Sequence, residues 1–409
     1  MTVKSVNVAD PTKQDAVSAT PRSILLRWYA LAASFDTKLQ TAYFLREPTR
    51  FLRYLRRARR GIRHYEPLLE SVSDQGGRRP FSRYMRLWRR FGHSIDDYYR
   101  YGFHGLSDDV EAAVFLSERR LGTLCDGGYE YLGVDARPLL DKVGFASACG
   151  EYGLPAISTI AEIERRRVVW GPGRSEERLP EIDLITKPRD GKCGDGVCRW
   201  IWDSGGYLDA SGERLAPDVL LDRLSGQSRH GPMMIQPCIQ NAEPLLSLAG
   251  GRLCTLRIVT SRPYDGTPEV QAAVLKMAAG SNVADNFANK GVAAPVGIES
   301  GEVGAAVSKS VEGMIKGESF SHHPDTKMPI AGLRLPDWKR VLDACVEAHS
   351  QFPAFHSVGW DVAITNAGPV LLEGNHNWDP IVAQQPGLSP LGRTGLLEHI
   401  LSFFDDRKR

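Results

Sequence analysis

The chain has 409 residues, 42% hydrophobic and 24% charged, with a formal net charge of +2, an ordinary globular composition with room for two structural units. No apolar run is long enough to span a bilayer. The seven cysteines are scattered without a Cys-x-x-Cys pair, and the polar opening Met1 to Thr20 has no secretory apolar core, so a reducing, cytoplasmic setting is expected.

Residues 1–21 mix Ser, Thr, Asp, Lys and Pro without periodicity and read as a disordered tail. Residues 22–120 read as helices with arginine-rich outer faces. The stretch Ile24 to Phe35, interrupted by Arg27, is an amphipathic helix. Gly61, Gly76-Gly77 and the Asp108/Glu111 capping pair mark helix ends. Arginines crowd the segment 46–100, among them Arg53, Arg56, Arg57, Arg59, Arg60 and Arg63. Such a patch either attracts anionic lipid or another polyanion or is the solvated side of the helices. Nothing here resembles a groove-reading motif, so no specific nucleic acid is expected.

From about residue 121 the texture changes to short strands between Gly and Pro turns: Ile182 to Thr186, Met233 to Gln236, Cys254 to Ser261, Val270 to Met277 and Trp360 to Thr365. Two helices stand out among them. One starts near Pro336-Asp337 and buries Trp338, Val341, Leu342, Cys345, Val346 and His349; the other runs from Leu391 to Phe404.

The segment Gly359 to Asn375 reads as a hairpin turning through Asn366-Ala367-Gly368, with Gly where a positive φ is wanted. Centred on Ala367, it pairs Val362 with Leu372 and Ile364 with Val370 on an apolar face. The same register sets Asp361 opposite Glu373 on the other face, with Asn375 joining them. Facing carboxylates destabilise an ordinary sheet. Either this is a solvent-exposed face or a hard cation bridges the pair, as Mg²⁺ does with carboxylates and substrate phosphates.

With Gly-Trp-Asp361-Val-Ala-Ile, Leu-Leu-Glu373-Gly-Asn375 and His323-Pro324-Asp325 before Leu335-Pro336-Asp337-Trp338, the sequence resembles the ATP-grasp superfamily. It is most similar to the sugar-transfer-associated ATP-grasp family, related to alpha-L-glutamate ligases. The resemblance implies an α+β, ATP-grasp fold over 121–409, preceded by the N-terminal helical region. Two α+β subdomains would grip ATP, with Mg²⁺ (or Mn²⁺) on Asp361, Glu373 and Asn375.

Asp141-Lys142 before Gly153-Leu154-Pro155 resembles the opening of the grasp, where the lysine reaches the phosphates. Lys187 ends a strand before a loop punctuated by Gly191, Gly194 and Gly196, whose backbone N–H groups suit phosphate oxygens. In Ile235-Gln236-Pro237-Cys238-Ile239, which resembles the adenine hinge, Gln236 replaces the usual glutamate, and a Gln carbonyl accepts the same hydrogen bond. Glu243 falls at the ribose position. Arg257 and Lys276 lie in apolar strands, where an unpaired cation is rare; they either face the cleft or snorkel at an edge. Asn286, Asn289 and Gly291 resemble a family loop near the phosphates or acceptor, and His376 is the histidine best placed for proton removal or acceptor binding.

D-alanine–D-alanine ligases carry an arginine just before the first metal aspartate, and here Gly359-Trp360 stand there, leaving Arg257 to supply that charge. The resemblance implies an ATP-dependent ligase joining a small-molecule carboxylate to an amine through an acyl-phosphate, in glycoconjugate, exopolysaccharide or peptide-like metabolite assembly. A small-molecule kinase on the same fold and a non-catalytic nucleotide-binding module are the alternatives. The expected location is cytoplasmic, with peripheral attachment to the inner membrane face if the arginines bind lipid. Oligomeric state is left open by the sequence.

Overall fold

A computed structural model describes residues 21–35, 48–70, 80–106, 108–171, 177–189, 196–280, 287, 291–309 and 317–405. All of the expected tail but Pro21 lies outside these, as do Gly76-Gly77, Gly191, Gly194, Asn286 and Asn289.

The N-terminal half of the fold is helical for longer than the turn signals suggest. Helices Arg22–Phe35, Pro48–Glu70 and Pro80–Phe91 are followed by Glu118–Tyr131 and Lys142–Glu151, and the first strand starts at Ala161. Gly61 does not end a helix. It lies inside Pro48–Glu70, where a Cβ would stand 2.8 Å from Cγ1 of Ile95; close approach, not a turn, is what this glycine supplies. Asp108 does cap the short helix Asp109–Ala113, accepting from the Val110 N–H. Glu111 pairs instead with Arg393.

The strands form two sheets, and the chain completes one before starting the other. β1 (Ala161–Glu164), β2 (Arg167–Trp170), β3 (Leu184–Pro188), β4 (Cys198–Asp203), β5 (Gly206–Leu208), β6 (Arg214–Leu215) and β7 (Met233–Pro237) are arranged β2-β1-β7-β3-β4-β5-β6. β8 (Thr255–Ser261), β9 (Glu269–Met277), β10 (Val292–Pro295), β11 (Ala306–Ser308), β12 (Ser319–Phe320), β13 (Ser357–Thr365) and β14 (Gly368–Asn375) are arranged β12-β11-β10-β9-β8-β13-β14. Every residue of β8 is buried, as a sheet covered on both faces requires.

Each sheet has its own core. The first packs Ile163, Leu184, Trp200 and Ile235 against Leu220 and Leu224 of helix Pro217–Gln227. The second shares one continuous core with the N-terminal helices, from Leu25 and Trp28 through Leu256 and Trp360 to Phe404. The joint is also polar: Gln384 exchanges side-chain hydrogen bonds with the Leu116 backbone. Helix Trp338–Gln351 buries Trp338, Val341, Cys345 and His349 as expected, with Ala344 and Ala348 where Leu342 and Val346 are only half-buried.

The hairpin corrects the expected register in part. Asp361 does face Glu373, but Val362 pairs with Leu371, Ala363 with Val370 and Thr365 with Gly368. The turn is therefore one residue shorter than expected. A bulge between Asp361 and Val362 absorbs Leu372 and restores the pairing beyond it. Gly368 sits at φ 115, the region that favours glycine. Among the described residues, no helix is long and apolar enough to cross a membrane.

Candidate active site

Register puts a row of charge across the β9-β8-β13-β14 end of the second sheet. Glu373 on β14 faces Asp361 on β13, Asp361 faces Arg257 on β8, and Arg257 faces Val274 on β9. Lys276, two residues beyond Val274, is on the same side of its strand. The Arg257 guanidinium holds Asp361 with two bonds, Nε to Oδ1 at 2.7 Å and Nη2 to Oδ2 at 3.1 Å. The Lys276 Nζ lies 3.1 Å from the same Oδ2. Both cations are buried, so the alternative that they snorkel at an edge does not hold.

Burial alone would push the Asp361 carboxyl up, but Arg257 and then Lys276 override it and hold the group well below the usual carboxylate range. Burial likewise opposes the Arg257 charge, and Asp361 more than restores it. Glu373 has no such cations in contact. Burial first, and then the neighbouring Asp361, push its carboxyl upward, while Asn375 Nδ2, donating to Oε1 at 3.1 Å, works against this. The row is thus a neutralised aspartate beside a glutamate that is costly to ionise.

A divalent cation would remove that cost. The donor set of two facing carboxylates and one amide carbonyl fits a hard, oxygen-preferring ion such as Mg²⁺. With only two carboxylates in it, the set differs from a cluster of three or more His, Cys, Asp or Glu, of which the described residues hold none.

Lys187, at the end of β3, connects the two sheets electrostatically. Burial lowers its affinity for a proton, Glu373 raises it, and the nearby Lys142 lowers it again. Lys142 opens the helix Lys142–Glu151, which Asp141 caps, and its Nζ donates to the Arg189 carbonyl at 3.3 Å. The segment before β1 is bonded to the β13–β14 hairpin: Ile157 N donates to Leu371 O and Leu371 N to Pro155 O. Gly196, the described glycine of the loop, has φ +72 and packs on Pro188.

Gln236 is buried in β7 beside Ile185 of β3, and its Oε1 is a buried acceptor with no hydrogen-bond partner among the described residues. An orphaned carbonyl of this kind carries the full desolvation cost unless a ligand donor meets it. Ile239 is half-buried just beyond the strand. The Glu243 carboxylate is exposed and accepts from Ser247 N and Oγ.

His376 is not brought to the carboxylates. Its ring packs near Tyr129 and Phe355, with Asp126 at 3.9 Å, and burial makes it harder to protonate. The alternation of strand residues explains this: Glu373 and Asn375 point one way, and the next side chain goes the other.

The match of a family model described as sugar-transfer associated ATP-grasp to residues 133–395 settles the kinship. The chain belongs to that family. No curated protein matches the ATP-grasp chain. Among solved structures it is similar to a D-alanine–D-alanine ligase from Bacillus anthracis, at 14% identity over 71% of this chain and 76% of that one, with a TM-score of 0.37. It is also similar to an L-amino acid ligase from Bacillus licheniformis, at 13% identity over 79% of this chain and 64% of that one, with a TM-score of 0.36. The functional reading of the ATP-grasp chain therefore rests on its own side chains.

One participant escaped the sequence reading. Trp378 closes over Gly359: a Cβ there would lie 2.7 Å from the Trp378 Cβ and 3.4 Å from the Arg257 Cδ. Gly359 is bare because the Arg257 stem and the Trp378 base occupy its space. The glycine standing where an arginine was expected was the available signal.

Proposed function

We propose that this chain is an ATP-dependent carboxylate–amine ligase that works through an acyl-phosphate. The observation that carries the reading is the pairing of buried Asp361 with half-buried Glu373, with Arg257 and Lys276 on one side and Lys187, with Lys142 near it, acting across the sheets. A site with this surplus of fixed positive charge around two acids is suited to a polyphosphate and its metal.

In this reading Gln236 Oε1 accepts from the adenine amino group, Ile239 borders the base and Glu243 lies toward the ribose. Lys142 and Lys187 hold phosphate oxygens, with Gly191, Gly194 and Gly196 in the loop that covers them. Asp361, Glu373 and Asn375 would hold Mg²⁺, which when bound would supply neutralisation of charge on the nucleotide phosphates. The γ-phosphoryl passes to a substrate carboxylate oxygen, leaving ADP. An amine nitrogen then attacks the acyl carbon, the C–O bond to phosphate breaks, and the amine gives up a proton. Arg257 and Lys276 stabilise the negative charge that spreads over the transferring oxygens, as preorganised donors do in a water-poor site. Asn286 and Asn289 are assigned to the phosphates or the acceptor by resemblance alone, and a role in glycoconjugate assembly rests on the family description.

The test is incubation with ATP, Mg²⁺, hydroxylamine and pooled amino and uronic acids. A hydroxamate formed with ADP and phosphate supports the ligase. ATP-dependent phosphorylation of a hydroxyl, with no hydroxamate from any acid, would replace it with a kinase.

A further inference from the structure

We propose that the helices Pro48–Glu70 and Pro80–Phe91 form a docking surface for an anionic phospholipid bilayer. The proposal is independent of the ligase reading, and its test uses no activity.

Helical spacing in Pro48–Glu70 turns Ala58 and Tyr65 into the core and leaves Arg53, Arg56, Arg57, Arg59, Arg60 and Arg63 exposed. No acid interrupts them. The first carboxylate of the helix, Glu66, is half-buried and accepts from the Tyr99 hydroxyl. Arg53, Arg56, Arg60 and Arg63 have no ionic partner among the described residues. Arg57 reaches Asp96 only at 3.5 Å, with its side chain 77% exposed. An ordinary solvated helix face interleaves both signs, whereas this one repels itself along about 15 Å of helix. An anionic surface relieves that repulsion.

The same side is also apolar where a soluble polyanion would have no use for it. Leu52 is 51% exposed amid the arginines. Beside it a groove of about 580 Å³ has Leu55, Phe81 and Met85 as apolar lining and Arg86, Arg89 and Arg90 around them. The Arg59 guanidinium lies over the Phe81 ring, 5.3 Å from its centroid. Apolar side chains flanked by guanidinium groups match an acyl-chain boundary under phosphate headgroups, the arrangement of interfacial amphipathic helices. A nucleic acid or acidic glycan would meet the charges and leave the apolar lining unused.

Full-length protein is sedimented with phosphatidylcholine vesicles, with and without phosphatidylglycerol, at low and high salt. Two variants accompany it, R53Q/R56Q/R60Q/R63Q and L52S/M85S, and circular dichroism confirms that both fold. Glutamine keeps helix propensity close to that of arginine. Binding to the anionic vesicles alone, lost at high salt, is expected. Each arginine removed lowers partitioning about fivefold, so the quadruple variant loses it several-hundredfold, and L52S/M85S binds measurably less. Equal binding to neutral and anionic vesicles, no binding to either, or wild-type binding by the quadruple variant overturns the proposal. So does complete displacement by soluble polyphosphate together with wild-type binding by L52S/M85S, which would make the face a general polyanion site.

Discussion

Replacing Arg257 by Met tests whether the charge row is a coupled unit. The guanidinium supplies two of the three cationic contacts to Asp361, at 2.7 and 3.1 Å, and leaves only the Lys276 contact at 3.1 Å behind. Methionine fills most of the arginine stem's volume, so the loss is mainly of charge and hydrogen bonds. Removing one partner of a buried ion pair typically costs about 3–5 kcal/mol, because the remaining charge is left uncompensated; with Lys276 still in place, the lower end of that range, about 3 kcal/mol, is expected. Asp361→Asn should cost less in the Arg257→Met background than alone, with a coupling of about 1–3 kcal/mol. The assay is urea denaturation of wild type, both single variants and the double, followed by tryptophan fluorescence in chelator. Strict additivity, with the double variant as unstable as the two losses together, would refute the claim that Arg257 exists in the fold to neutralise Asp361. Repeating the series in Mg²⁺ should show a larger metal-induced stabilisation in Arg257→Met than in wild type, since the cation no longer competes with a guanidinium for both aspartate oxygens.

Gly359→Ala should lower stability by about 1–3 kcal/mol through overpacking against Trp378, and a crystal structure of the variant should show Trp378 or the Arg257 stem displaced; an unmoved pair would contradict the contact. Gln236→Leu should leave stability unchanged or slightly improved, since it removes an unpaired buried acceptor, while weakening ATP about tenfold by calorimetric titration; undiminished affinity would take Gln236 out of the adenine site. Acid should destabilise the protein through buried histidines. Burial lowers His349 from 6.5 to about 4 and His356 from 6.5 to about 3, so the unfolded chain takes up the protons first. Stability is full above about pH 6.5 and falls as pH drops through the folded values, by about 3 kcal/mol for His349 alone at 1.36 kcal/mol per pH unit. Urea midpoints between pH 7 and 4.5 should fall less steeply in His349→Asn, and an unchanged slope would remove this residue from the account.

Elements with strong period-two or helical patterning were legible from the sequence. Strands β7, β8 and β9 fall within a residue or two of their expected bounds, because runs such as Thr255 to Ser261 are rich in β-branched and apolar residues between turn residues. The hairpin shows where such reasoning stops. Pairing Asp361 with Glu373 was right, although the turn was one residue too long, because the bulge at Leu372 offsets the error. A bulge leaves no mark in the hydrophobic pattern: Leu371 and Leu372 are chemically alike, and only the three-dimensional ladder decides which is extra. Gly61 misled for a related reason. A glycine that admits a neighbouring helix and one that ends its own helix look the same in one dimension.

The site divides along the same line. Carboxylates and lysines in unusual places announce themselves, since buried charge needs a partner. What the sequence does not reveal is which strand a functional group comes from. The resemblance to D-alanine–D-alanine ligases calls for an arginine shortly before Asp361 along the chain, where Gly359-Trp360 stand. The fold brings one in sideways instead: Arg257 comes from the adjacent β8, opposite Asp361, and its stem passes over the space that Gly359 leaves. A guanidinium anchored on a neighbouring strand reaches the same carboxylate as one anchored two residues away, because cross-strand neighbours on one face are only about 5 Å apart. The exchange makes the two positions interdependent. Any side chain at 359 competes with Arg257 for the same space, so an arginine restored at 359 would be tolerated only together with a smaller residue at 257 and a smaller one at Trp378.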